Sequence, residues 1–209
     1  MSSYPIANIA ARWAGGKTWA EYFDVMQKNR DLIAAISKEI RFSDADKKSF
    51  RDLFARHGNA QALVISEDWC PDCALNVPVL MQIAQLIPAL NVRFFKKDEV
   101  DDIHAYALKG ERKAIPTFIF FDAQWNEIGH WLERPVKADM RLSEWDQTHP
   151  APTEPERTAD VWKHYRNARS EYRNELFLEG SLWRETIAEL RLILGREVFN
   201  NQLVMAQTR

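Results

Sequence analysis

From Trp19 the apolar residues Tyr22, Phe23 and Met26 recur at spacings of three and four, and Leu32, Ile33, Ile36 and Ile40 continue with a similar stripe. That spacing keeps one helix face apolar, so residues 17–58 are expected to be helical. Ser43 stands where an N-cap belongs. Phe50, Leu53 and Phe54 would be the buried side of a further short helix ending at Gly58. At Ala62 the texture changes. Ala62-Leu63-Val64-Ile65 is a continuous apolar run, as expected of a parallel strand covered on both faces. A helical pattern through Leu80, Ile83, Ala84 and Ile87 follows, then a strand from Asn91 to Phe95 and a short helix from Ile103 to Leu108. Thr117-Phe118-Ile119-Phe120-Phe121 is a strong β run, and after the turn Asp122-Ala123-Gln124-Trp125-Asn126 the chain can return from Glu127 to Leu132 as an antiparallel edge strand.

The resulting order is β-α-β-α-β-β preceded by helices, an α/β sandwich on a small mixed sheet. Past Pro135 the strands cease. Three prolines between His149 and Pro155 mark an irregular connector. Beyond it Val161, Tyr165, Ala168, Tyr172 and Leu176 step by helical spacings, and Leu182, Ile187, Leu190 and Ile193 repeat the theme, with Gly180 and Gly195 as expected breaks. The expected organisation is thus an N-terminal helical segment (1–58), an α/β domain (59–148) and a C-terminal helical extension (149–209). The aromatic stripe Trp162, Tyr165, Tyr172 and Trp183 would be either a partner-binding face or the buried side of helices packed on the sheet domain, and packing on a second copy would make a homodimer.

Composition narrows the function classes. A chain of 209 residues, 46% apolar, can bury one sizeable core with an appendage. A net charge of -2 and a pI near 6.2 offer no electrostatic case for nucleic acid or an anionic membrane surface. No apolar run approaches the roughly 18 residues that span a bilayer. Met1-Ser2-Ser3-Tyr4-Pro5 lacks the layout of a secretory signal, so the expected location is cytoplasmic.

Two cysteines, Cys70 and Cys73, lie three positions apart. A disulfide between them would close almost no loop, which argues against a structural staple and for reactivity or metal binding. Cys70 falls where a buried strand gives way to a helix. There the free N–H groups of the first turn and the positive end of the helix dipole favour a thiolate, the species that attacks disulfides. Pro71 suits the first helical position. Cys73, one turn on, can attack a mixed disulfide formed at Cys70.

Trp69-Cys70-Pro71-Asp72-Cys73, Pro78 five residues after the second cysteine, Ile115-Pro116-Thr117 about forty residues downstream, and a last hairpin around Asn126 to His130 occur in this order. In these four features the stretch from about Ala62 to Arg134 resembles thioredoxins. The resemblance implies a three-layer sandwich with a mixed central sheet. It also implies a dithiol–disulfide oxidoreductase with Cys70 as nucleophile and Cys73 as resolving thiol, and a cis peptide at Pro116. Trp69, Ile115, Pro116 and Thr117 would then contact the substrate. The expected partners are disulfide-containing proteins, with a thioredoxin reductase or a low-molecular-weight thiol as electron donor and no metal or organic cofactor.

The pattern departs from the family in places. Val64 stands where thioredoxins commonly carry a buried aspartate, and Lys96 or Lys97 is either their buried lysine or a solvated strand-end charge. Asp72 would oppose the helix dipole and raise the Cys70 pKa, or serve as a local proton acceptor, or simply favour the helix start. Glu67 and Asp68 either steer substrates or solvate a loop. His57, His104, His130, His149 and His164 complete no four-ligand zinc spacing with the cysteines. Gly15-Gly16-Lys17-Thr18 lacks the rest of a phosphate loop and reads as a helix-start turn. Two other functions stay open: a glutathione-dependent glutaredoxin-like reductase, whose family shares Cys-Pro-x-Cys, and a redox-sensitive interaction module without turnover.

Overall fold

A computed structural model describes the backbone of residues 6–103 and 113–207. In chain order the elements are α1 (Ile6–Trp13), α2 (Trp19–Asp24), α3 (Arg30–Glu39), α4 (Asp44–His57), β1 (Ala60–Ile65), α5 (Pro71–Leu86), β2 (Leu90–Phe95), β3 (Thr117–Phe121), β4 (Glu127–Leu132), α6 (Val136–Thr148), α7 (Ala159–Leu178) and α8 (Ser181–Gln207). The helix expected from Ile103 lies, beyond that first residue, outside the described residues.

The sheet order is β2-β1-β3-β4, with β1 and β2 parallel and the other two pairs antiparallel. Side chains alternate between faces along a strand, and here both faces are covered. Ala62, Val64, Phe118 and Phe120 join the core under α3, α4, α5 and α8, whereas Leu63, Ile65, Ile119 and Phe121 meet Ile9 of α1, Val100 and Ile103 on the other side. Helices on both faces of a mixed sheet give a three-layer α/β sandwich with helical segments at both ends.

Local chemistry sets the helix starts. Thr18 and Ser43 each form a capping box, with Glu21 and Asp46. Gly15-Gly16-Lys17-Thr18 is a helix-start turn: Lys17 exchanges two backbone hydrogen bonds with Phe94, at 2.8 and 2.9 Å. A Cβ on Gly16 would lie 2.5 Å from the Phe95 ring, so glycine is required by close approach.

Two expectations about the helices change. Gly180 does break the chain, at φ +90°, between α7 and α8. Gly195 does not; it lies inside α8, where a Cβ would sit 3.7 Å from Leu53. The helices α1 and α6 had not been anticipated. The tail packs on its own chain: Leu182, Trp183, Ile187, Leu190, Ile193 and Leu194 are buried in the main core. Glu189 of α8 accepts from Trp131 Nε1 of β4 (2.7 Å) and from the Val136 N–H that opens α6 (2.8 Å).

Candidate active site

β1 ends at Ile65 and the chain crosses to α5 through Ser66-Glu67-Asp68-Trp69. This loop is tied down. Glu67 accepts the Lys97 N–H (3.0 Å), Asp68 accepts the Gln27 N–H (2.7 Å), and Asn29 Nδ2 donates to the Asp68 carbonyl (2.8 Å). The two acids are thus tethers of the loop. Lys96 is solvent-exposed and Lys97 half-buried at the end of β2, the strand-end alternative for that pair.

Cys70 is the N-cap of α5 and Pro71 its first residue. Its Sγ accepts the Cys73 N–H at 3.4 Å, one of the otherwise unmet donors of the first turn. Its thiol donates to the Ile115 carbonyl, also at 3.4 Å. Both cysteines are free thiols and buried. Beside them Trp69 keeps 54% of its surface exposed. The Ile115–Pro116 peptide is cis. Thr117 is buried with its hydroxyl on the Ala114 carbonyl (2.7 Å), and the Pro116 carbonyl accepts the Glu133 N–H (2.7 Å). The Ile115-Pro116-Thr117 turn therefore lies against Cys70, with Trp69 next to it in the chain.

The two thiols differ electrostatically. The side chain of Cys73, hydrogen-bonded to Cys70, lowers the Cys70 pKa; burial and the Asp72 charge act against it, and the Cys73 N–H adds to the lowering. Burial pushes the Cys73 thiol well up, and its contact with Cys70 pushes the same way, while the Ser66 hydroxyl pulls it down. A proton shared between two close sulfurs settles on the more deeply buried one. Cys70 is thus the sulfur that ionises first.

Ser66 was not singled out in the sequence. It is fully buried and shares a 2.8 Å hydrogen bond with the Tyr22 hydroxyl, next to Cys73. Val64 is buried in the core and brings no acid to the site.

Asp72 differs from a solvated helix-start acid. It is 6% exposed, and its Oδ2 lies 3.2 Å from Arg134 Nη2 and 3.5 Å from Arg173 Nη1 of α7. Arg134 also pairs with Glu133 and with Asp139. One turn along, Asn76 donates to the Asp72 and Glu133 carbonyls and accepts from Thr186 of α8 (2.9 Å). None of these partners carries a local sequence signal.

Among the described residues no group of three or more His, Cys, Asp or Glu is placed to hold a metal. His130 pairs with Glu127 and His149 stacks on Trp145, whereas the His57 side chain and His104 lie outside the described residues. No helix of the described residues is long and apolar enough to cross a membrane.

The family model described as Thioredoxin matches residues 16–146. The chain belongs to the thioredoxin family. Thioredoxin H5 of Arabidopsis thaliana is 42% identical over 70 residues, which cover 34% of this chain and 52% of that protein. The chain thus spans about half the length of the curated relative it matches. A protein of unknown function from Pseudomonas aeruginosa superposes with a TM-score of 0.62 at 19% identity, over 94% of this chain and 99% of that one. An HIV epitope scaffold gives a TM-score of 0.62 at 19% identity, over 88% of this chain and 96% of that one. These two likenesses are likenesses of fold. They run over the terminal helices as well as the thioredoxin sheet, so the helical segments belong to an arrangement found elsewhere. Family membership supports thiol–disulfide redox chemistry and dealings with disulfides and reductants in general.

Proposed function

We propose that this thioredoxin-family protein is a thiol–disulfide oxidoreductase that reduces protein disulfides through Cys70 and Cys73. The observation that carries the reading is the Cys70 sulfur at the mouth of α5, 3.4 Å from both the Cys73 N–H and the Ile115 carbonyl. The Cys70 thiolate attacks one sulfur of the substrate disulfide, forms a mixed disulfide and expels the other sulfur as a thiolate, which takes up a proton. Cys73 then loses its proton and attacks Cys70 Sγ. The second substrate thiol leaves, and Cys70 and Cys73 remain joined. Two electrons have passed to the substrate. A thioredoxin reductase or a low-molecular-weight thiol returns them, and the cycle needs no metal or organic cofactor.

The exposed backbone at Ile115 can pair with an extended substrate as an added strand, with Trp69 as an apolar contact and Thr117 holding the turn behind Pro116. Asp72 supports the reducing direction. A carboxylate near the thiolate weighs against the dithiol form, and stabilised dithiols are the strong oxidants. The setting expected is the cytoplasm, where thiols are kept reduced.

Reduction of insulin disulfides, assayed separately with thioredoxin reductase and with glutathione as donor, tests the proposal. Turnover with the reductase, lost in Cys70→Ser, is expected. Turnover with glutathione alone would favour the glutaredoxin-like reading, and none with either donor would leave an interaction module.

A further inference from the structure

Pro71, the residue after the nucleophile, forms one wall of a cleft of about 340 Å³. The other walls come from one face of α7: Arg166, Asn167, Arg169, Ser170 and Arg173. Residues three and four apart share a helix face, so three arginines line one side of this cleft, and among the described residues no acidic side chain lines it.

Their existing partners leave capacity unused. Arg169 donates through Nε and Nη2 to Asp146 at 2.7 and 2.9 Å. Arg173 donates to Ser170 (2.8 Å) and lies at 3.5 Å from Asp72, a carboxylate it shares with Arg134. Arg173 is only 8% exposed, yet its Nε has no acceptor. A buried N–H without a partner is costly, and a ligand oxygen would relieve it. Arg166 stands on the exposed side, open to solvent. Burial lowers the Arg173 pKa while Asp72 and the Cys70 sulfur act the other way, which places this guanidinium within electrostatic reach of the nucleophile.

We propose that this cleft is a carboxylate subsite of the dithiol site, binding an acidic group that the disulfide substrate carries close to the cysteine attacked by Cys70. The inference rests on the reductase reading above and adds to it a substrate class. Guanidinium forks match the planar geometry of a carboxylate. The cleft begins at the residue next to Cys70, about 3.8 Å along the backbone, so an Asp or Glu one or two residues from the scissile cysteine can reach it. Recognition of charge there would be supplied by the C-terminal helices and not by the sheet.

Two disulfide peptides differing only in Glu or Gln beside the attacked cysteine test this, mixed in stopped flow with the pre-reduced full chain. The Glu peptide is expected to react about tenfold faster at low salt, as one partly solvated charge-assisted contact allows. That Glu/Gln ratio should fall towards one in Arg166→Gln, invert in Arg166→Glu, and shrink at high salt. Arg166 is an exposed helix residue, so both variants should fold. Equal rates for the two peptides, or a ratio that survives Arg166→Glu, would overturn the subsite. Reduction of neither peptide would instead overturn the reductase reading. Oxidised glutathione separates the two carriers of such a carboxylate. Reduction at the Glu-peptide rate, with the same loss in Arg166→Gln, assigns the cleft to a small disulfide; a rate near that of the Gln peptide assigns it to polypeptides.

Discussion

Cys70 and Cys73 are three residues apart, yet one sulfur caps a helix and the other is sealed beneath it. Because the Cys73 side chain is the largest influence lowering the Cys70 pKa, Cys73→Ala should raise it. The pH profile of iodoacetamide alkylation at Cys70 should shift to higher pH, and an unchanged midpoint would contradict the geometry. Asp72→Asn should act in the opposite direction. It removes a charge that opposes the thiolate and leaves Arg134 and Arg173 less compensated, so the Cys70 pKa should fall in a titration of thiolate absorbance. The same change weakens a buried ion pair and should cost about 2 kcal/mol in urea unfolding. Ser66→Ala removes the hydroxyl that favours ionised Cys73. It should slow release of the mixed disulfide more than its formation, as read by rapid quench. The cysteines and the Ile115-Pro116-Thr117 turn were legible because their chemistry is written in local motifs. Arg134, Arg173 and Thr186 were not, because each meets the site from an element distant in sequence, and Ser66, though close to Cys70 in the chain, takes its place through the hydroxyl of Tyr22, 44 residues away; pairings of that kind leave no periodic trace.

At the scale of elements, steric contact accounts for positions that composition cannot. A side chain at Gly16 would meet Phe95 and the Arg93 Cβ within 2.8 Å, so Gly16→Val should destabilise the fold by about 2 kcal/mol in urea unfolding. A neutral result would mean that the α1–α2 turn stands off β2. The strands were readable from their short apolar runs, and α2 to α5 from stripes and caps. Helix α6 was not, since Ala138 and Leu142 are its only buried residues among those described and two positions make no stripe. Helix α1 did carry a signal, with Ile6, Ile9, Ala10 and Trp13 at helical spacing, but so short a stretch needs its contacts to Leu63 and Ile119 to stand out. Gly195 misled because glycine inside a helix is tolerated at a cost near 1 kcal/mol when packing supports it.

For the whole molecule, the C-terminal helices are part of the core. Trp183, Ile187, Leu190, Ile193 and Leu194 are buried in the same cluster as Val64, Leu80 and Phe118. At roughly 1.5–3 kcal/mol for each buried side chain, their loss would match the entire stability of a domain. A chain ending at Pro150 should therefore not fold cooperatively, as judged by circular dichroism during urea unfolding. A truncated protein with a sharp transition would show that the sheet stands alone. The sequence suggested a helical extension packed on the sheet domain or on a second copy. The structure joins it to the dithiol through Arg173 on Asp72 and Thr186 on Asn76.

The most direct test of a sulfur pair made to be joined and parted is capture of the intermediate. Cys73→Ser should hold a disulfide-linked complex between Cys70 and a reacted protein disulfide, seen on a non-reducing gel and dissolved by dithiothreitol, and Cys70→Ser should hold none. A complex that persists without Cys70, or none in Cys73→Ser when insulin is in excess, would contradict Cys70 as the attacking sulfur.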